Sequence, residues 1–228
     1  MTTKIFAIPF AGGSKYSYNV LKEHVDSSFS FHAIELAGRG ERMIDELQDD
    51  IHQMAEDVFQ QIKDQLDDNY ILYGHSMGTI ICYLVIKKIV EQGLPQPKHL
   101  VVSGSAGPST EERERERHLL SKTDFRNKLS SYGGSPKEVL ENDELFDFFE
   151  PILRNDFKAV ETYLYEPWEK KMNVPITVLI GLEEGVTLKE AKLWEQETTQ
   201  AVAVRQFPGG HFFIFNYPGE VVKVMCRG

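Results

Sequence analysis

The stretch Tyr70-Ile-Leu-Tyr-Gly-His-Ser-Met-Gly78, continuing through Thr79-Ile-Ile-Cys-Tyr-Leu-Val-Ile-Lys87, constrains this chain more than any other. It reads as an apolar strand, a G-x-S-x-G turn and a helix. A strand passing directly into a helix leaves room for only a tight, strained connection. The central Ser76 then stands clear of the sheet edge, beside the N-terminal amides of the helix. Gly74 and Gly78 fall where such a turn leaves no space for a Cβ. Ser76 is therefore the candidate nucleophile; the alternative is an ordinary strand-to-helix turn with a buried serine.

A nucleophilic serine needs a base, and the base needs a group to orient it. Val204-Arg-Gln-Phe-Pro-Gly-Gly-His211-Phe-Phe-Ile214 lifts a histidine out of a strand on two glycines, and of the seven histidines only His211 is placed in this way. Its position late in the chain suits the base of a Ser…acid…His order. His24, His52, His99 and His118 sit among polar residues and are expected in solvent. His32 lies in a strand pattern, and His75 belongs to the elbow itself.

The acid should follow a core strand between serine and histidine. Val174-Pro-Ile-Thr-Val-Leu-Ile-Gly-Leu-Glu-Glu-Gly-Val-Thr187 offers a strand with Glu183 and Glu184 at its exit, whereas the exit after Leu100-Val-Val-Ser103 holds only serine, glycine and alanine. By exclusion the acid is Glu183 or Glu184. For the oxyanion, one donor is expected from the backbone N–H of Met77, the residue after the nucleophile. The second is expected from an early strand-to-helix loop, which Lys4-Ile-Phe-Ala-Ile-Pro-Phe-Ala-Gly-Gly-Ser14 supplies, with the Ala11 amide as candidate. No G-x-G-x-x-G or lysine-bearing P-loop spacing makes this glycine pair a phosphate loop.

Strand patterns over 4–9, 30–36, 70–74, 98–103, 176–180 and 202–207 alternate with helical patterns over 16–25, 51–66, 77–92, 188–197 and 218–224. Such alternation predicts an α/β fold: a mostly parallel sheet flanked by helices, with the catalytic candidates at C-terminal strand ends. One connection breaks the rhythm. The stretch between Ser103 and Ile176 is far longer than a single crossover helix needs. It reads as helices over 111–120, 123–131, 137–141 and 143–164, a helical lid insertion at 107–165 within one domain spanning 1–228. Phe146, Phe148, Phe149, Ile152, Leu153 and Phe157 are expected to form chiefly the insertion's own core, with a minority lining a channel.

With 228 residues and 41% hydrophobic content, one well-cored domain is the natural expectation. No apolar run reaches the roughly 18 residues of a membrane span, and the N-terminus shows no signal-peptide pattern. Two cysteines, Cys82 and Cys226, make no disulfide framework, which together points to the cytoplasm. A net charge of −10 disfavours nucleic acid and anionic membrane as partners. The mixed run Glu111-Glu-Arg-Glu-Arg-Glu-Arg117 reads as a solvated helix face.

Six stretches stand together along the chain: Pro9-Phe-Ala-Gly-Gly13, Gly38-Arg-Gly-Glu-Arg42, Gly74-His-Ser-Met-Gly78, Tyr132-Gly-Gly-Ser-Pro136, Pro151-Ile-Leu-Arg-Asn-Asp-Phe157 with Glu161-Thr-Tyr163, and Gly209-Gly-His-Phe-Phe-Ile214. On these motifs nearly the whole chain resembles the stand-alone type II thioesterases of nonribosomal peptide and polyketide synthases, within the α/β-hydrolase fold. Two departures stand out. Ala37 replaces the family's proline before Gly-Arg-Gly, and Gly181-Leu-Glu-Glu184 carries glutamate where the family has aspartate. The resemblance puts the acid at Glu184 and implies hydrolysis of acyl thioesters on the phosphopantetheine arm of carrier proteins, with no metal or cofactor. A carboxylesterase or an acyltransferase would share the same catalytic residues. A protein of another class, an inactive acyl-binding scaffold, would follow if the glutamate failed the site.

Overall fold

The computed structural model describes residues 2–110 and 115–227. Six strands form one sheet: β1 (Thr3–Ile8), β2 (Phe29–Ala33), β3 (Tyr70–His75), β4 (His99–Ser103), β5 (Ile176–Gly181) and β6 (Val202–Phe207). Their order is β2-β1-β3-β4-β5-β6, and every neighbouring pair is parallel. Parallel strands cannot be joined by tight hairpins, so the chain crosses over the faces between them. These crossovers and the stretch after β6 carry α1 (Asn19–Lys22), α2 (Ile51–Ile62), α3 (Met77–Glu91), α4 (Lys122–Tyr132), α5 (Lys137–Glu141), α6 (Asp143–Glu161), α7 (Leu188–Ala191), α8 (Phe213–Asn216) and α9 (Pro218–Met225).

Side-chain alternation divides each central strand between two cores. Phe6, Ile8, Tyr70, Leu72, Leu100, Val102, Ile176 and Val178 face α2 and α3. Ile5, Ala7, Ile71, Tyr73, Val101 and Leu179 face the side covered by α1, α8 and α9. Helix α3 is buried around nearly its whole circumference, from Met77 through Ile86, which explains why its sequence is apolar all round. Each fully buried Ile or Leu there contributes roughly 1.5–3 kcal/mol.

The chain runs from β1 outward to β2, then returns past β1 to start β3 on its other side. The strand order thus reverses between β1 and β3, a switch point where the exits of two adjacent strands diverge and open a crevice. Ile8 pairs with Gly74 across that boundary, so the loop beginning at Pro9 and the turn at Ser76 leave the sheet side by side.

Between β4 and β5, α4 and α6 build a third apolar cluster from Phe125, Leu129, Phe146, Leu153 and Phe157. Helix α6 opens on Asn142, whose side chain accepts from the Leu145 amide, and it continues through Pro151. An interior proline forfeits a backbone bond and costs about 3 kcal/mol, which the buried Phe146, Ile152, Leu153 and Phe157 offset.

Several elements differ from the sequence pattern. Strand β2 ends at Ala33, because the last bond to β1 is from the Ile34 amide to Ala7 and the chain then bends away. The helices expected over 16–25 and 188–197 each divide into a 3-10 turn and a short α-helix. The short α8 and a 3-10 turn at Gly40–Arg42 carry no periodic signal. Of the helix expected over 111–120, residues 111–114 lie outside the described residues, and the remainder forms only a 3-10 turn, Arg117–Leu119. Arg117 is not a solvated face residue: it packs over the Phe157 ring and pairs with buried Glu161. Nor are His99 and His118 in open solvent. His99 is buried against Thr177, and His118 meets Glu161.

Candidate active site

Ser76, between β3 and α3, has φ 54° and ψ −117°, a conformation L-residues avoid, at a strain of about 1–3 kcal/mol. The surrounding contacts hold it there. Its amide donates to the Ser103 carbonyl on β4 at 2.8 Å, and its carbonyl accepts from the Thr79 amide and hydroxyl at 3.0 and 2.7 Å. A Cβ on Gly74 would overlap the Gly78 carbonyl, and one on Gly78 would overlap the Ile8 carbonyl. The two glycines thus let the elbow close on itself and on β1.

The histidine and the acid meet through the exits of β5 and β6. The Leu182 amide donates to Phe207 (2.9 Å) and the Glu183 amide to Gly209 (3.0 Å), zipping the two exits together. Gly181 permits this approach, since a Cβ there would lie 2.6 Å from both the Gly209 and Gly210 carbonyls. Gly209, at φ 100°, turns the chain so that His211 swings over the strand ends. Glu184 then reaches His211, Oε2 to Nδ1 at 2.9 Å, while its Oε1 accepts from the Gly181 amide at 2.6 Å. Its side chain is fully buried. Glu183 is exposed and points elsewhere. The longer glutamate is accommodated because its carboxylate folds back to cap its own strand end.

Ser76, Met77, Ala11, Glu184 and His211 all line one cavity of about 800 Å³, within the range of small-molecule sites. Among the described residues, the Ser76 hydroxyl has no hydrogen-bond partner, and neither the Ala11 nor the Met77 amide donates to a protein acceptor. The remaining wall is largely apolar: Ile80, Leu129, Val139 and Val186, with Phe149, Ile152, Leu153 and Phe157 from α6. Four of the six aromatic and aliphatic residues expected to form chiefly the insertion's own core therefore face the cavity. Phe146 is core, and Phe148 is exposed.

Three features lay outside the sequence reading. His75 is fully buried, 4.9 Å from the His211 ring centroid, and its Nδ1 shares a hydrogen bond with Ser103 Oγ at 2.9 Å. Burial, and then the proximity of His211, push its pKa well below the ordinary value, so it stays neutral. Tyr132 at the end of α4 lies 6.1 Å from the His211 ring. Arg39 and Asp156 form a buried ion pair beneath the Ala11 loop. Asp156 had a signal in the sequence: it sits at helical spacing from Ile152 and Leu153, on an apolar face where a carboxylate must find a partner.

A parallel sheet that gathers a serine elbow and a histidine–glutamate pair at its C-terminal edge defines an α/β-hydrolase. The Thioesterase domain family matches residues 3–226, and the chain belongs to it. The gramicidin S biosynthesis protein GrsT of Aneurinibacillus migulanus is 30% identical over 228 residues, covering 98% of this chain and 88% of GrsT. Among solved structures, ClbQ from the colibactin NRPS/PKS pathway aligns with a TM-score of 0.92 at 27% identity, covering 98% of this chain and 95% of ClbQ. YbtT, a type II thioesterase from the yersiniabactin NRPS/PKS pathway, aligns with a TM-score of 0.88 at 25% identity, covering 99% and 92%. The protein is thus a thioesterase whose relatives include type II enzymes of such pathways. Among the described residues, no helix is long and apolar enough to cross a membrane.

Proposed function

We propose that the protein hydrolyses acyl thioesters carried on the phosphopantetheine arm of carrier proteins, through an acyl-serine at Ser76. The observation that carries this reading is the buried Glu184 bonded to His211 on the wall of the cavity that Ser76 enters. In the first half-reaction, His211 takes the Ser76 proton as Oγ bonds to the thioester carbon. The tetrahedral intermediate collapses, the C–S bond breaks, and His211 returns the proton to the departing thiolate. In the second half-reaction, water gives a proton to His211 and its oxygen to the acyl carbon, and the Ser76 oxygen leaves with the proton back. Glu184 orients the imidazole and stabilises its charged form at each transfer. The amides of Met77 and Ala11 hold the oxyanion, at about 3 kcal/mol for each donor. Their freedom from protein acceptors supports that role.

The described residues of the 107–165 insertion act as the lid of this site, with α6 supplying the apolar wall on which the acyl chain rests. The carrier assignment draws support from the pathways named for ClbQ and YbtT. It is tested by comparing the same acyl group on a phosphopantetheinylated carrier and on coenzyme A. A higher kcat/KM on the carrier is expected, because remote contacts can be used in the transition state. Equal efficiency on both, with faster cleavage of simple oxygen esters, would contradict it.

A further inference from the structure

The loop bearing Ala11 is a four-residue turn, closed by the Gly13 amide on the Phe10 carbonyl at 2.9 Å. Gly12, third in the turn, has φ 76°, the sign a type II turn requires there. The turn's central amide, Gly12 N–H, therefore faces away from the turn and needs an outside acceptor. Asp156 of α6 supplies it, Oδ2 at 2.7 Å. Asp156 has no exposure and is gripped by both terminal nitrogens of Arg39, at 2.5 and 2.7 Å; Arg39 is itself only 3% exposed. The same guanidinium donates to the Gly13 carbonyl at 3.3 Å and the Ala37 carbonyl at 3.5 Å. Leu153, one turn earlier on α6, packs against the open side of Gly12, where a Cβ would overlap it.

A buried ion pair is poor evidence for stability, because apolar residues of similar volume often serve as well or better. What this pair does have is direction: it reaches both the amide and the carbonyl flanking the turn's last peptide bond. The geometry points to Arg39 and Asp156 as positioning residues for the thioesterase reaction. Together they hold the Phe10–Gly13 turn so that the Ala11 amide faces the acyl oxygen. Arg39 also cancels the negative charge that a lone Asp156 carboxylate would set beside the developing oxyanion. The inference rests on the proposed oxyanion role of Ala11, and it makes that half of the oxyanion hole dependent on α6.

The test uses the full-length protein with Arg39→Gln, Asp156→Asn, the double variant and Arg39→Lys. Active sites are titrated with a fluorophosphonate, so only folded enzyme is counted. Two quantities are read per titrated site: kcat on an acyl N-acetylcysteamine thioester, and affinity for a trifluoromethyl ketone whose hemiketal oxyanion would occupy the hole. Arg39→Gln is expected to lower kcat roughly 10- to 100-fold, as misplaced catalytic groups do, with KM little changed and the ketone's affinity falling in proportion. Adding Asp156→Asn should restore part of that loss by removing the lone charge, and Arg39→Lys should fall between. If Arg39→Gln does not fold, Arg39→Lys carries the same comparison. Unchanged kcat and ketone affinity per site, or a loss confined to KM or to the folded fraction, would overturn the inference. Ser76→Ala separates the layers. Labelling that persists in it refutes the nucleophile itself, whereas Ser76-dependent labelling with unmoved ketone affinity refutes the positioning role alone.

Discussion

Glu184 and Glu183 are chain neighbours with opposite fates: one is sealed beneath His211, and the other faces solvent. Only a carboxylate bonded to Nδ1 both selects the tautomer that leaves Nε2 free to accept and stabilises the imidazolium. Glu184→Gln should therefore lower kcat roughly a thousandfold or more while the protein stays folded, and Glu183→Gln should change it little. Steady-state kinetics with circular dichroism as the folding control checks both. Ser76→Ala should abolish fluorophosphonate labelling and lower thioester hydrolysis by at least about a thousandfold, since only binding and the oxyanion donors remain. The sequence narrowed the acid to two adjacent residues and went no further on its own terms. Which of them turns inward depends on bonds from Leu182 and Glu183 to Phe207 and Gly209, on the neighbouring strand's exit. Local pattern does not carry such pairings. The same limit hid the Arg39–Asp156 pair, whose halves were legible as motifs but not as partners.

At the level of elements, the strand exits position the chemistry and glycines decide how closely they approach. Gly78→Ala would press a Cβ onto the backbone at the exit of β1, overlapping the Ile8 carbonyl oxygen and lying 2.9 Å from that of Pro9. A loss of about 1–3 kcal/mol is expected from such overpacking, read as a lower urea midpoint. Across β4 and β5, His99 is buried beside Thr177, and burial, aided by Arg205, holds its pKa down to about 4 from 6.5. Above pH 6.5 both folded and unfolded chains leave it neutral. Below that, the unfolded chain gains a proton that the folded one refuses, so stability falls between pH 6.5 and about 4. His99→Gln should flatten the stability profile in that window, as followed by urea titrations at several pH values. The four central strands were legible because each is a largely buried apolar run, whereas the edge strands β2 and β6, mostly half-buried or exposed, carry a weaker pattern. Helices α2 and α9 were legible from their apolar faces, and α3 from an apolar run too long for a strand. The split helices and α8 were not, since segments of four or five residues are decided by packing rather than by periodicity.

On the scale of the whole molecule, the insertion and the sheet share one cavity, and the apolar wall from α6 could not be separated from the insertion's own core by pattern alone. With a net charge of −10, attraction to an acidic carrier through long-range charge is expected to be weak, so kcat/KM should vary little with added salt. A steep loss of rate with salt would instead mark a strongly basic docking patch. The central claim, an acyl-enzyme at Ser76 on the way from a carrier thioester to free acid, is tested most directly by rapid-quench intact-mass spectrometry. Enzyme mixed with an acyl carrier should gain the acyl mass transiently, on the peptide containing Ser76, as free carrier thiol appears and before the acid accumulates. Free thiol and acid rising together with no acyl-enzyme, or an adduct on any other peptide, would contradict it.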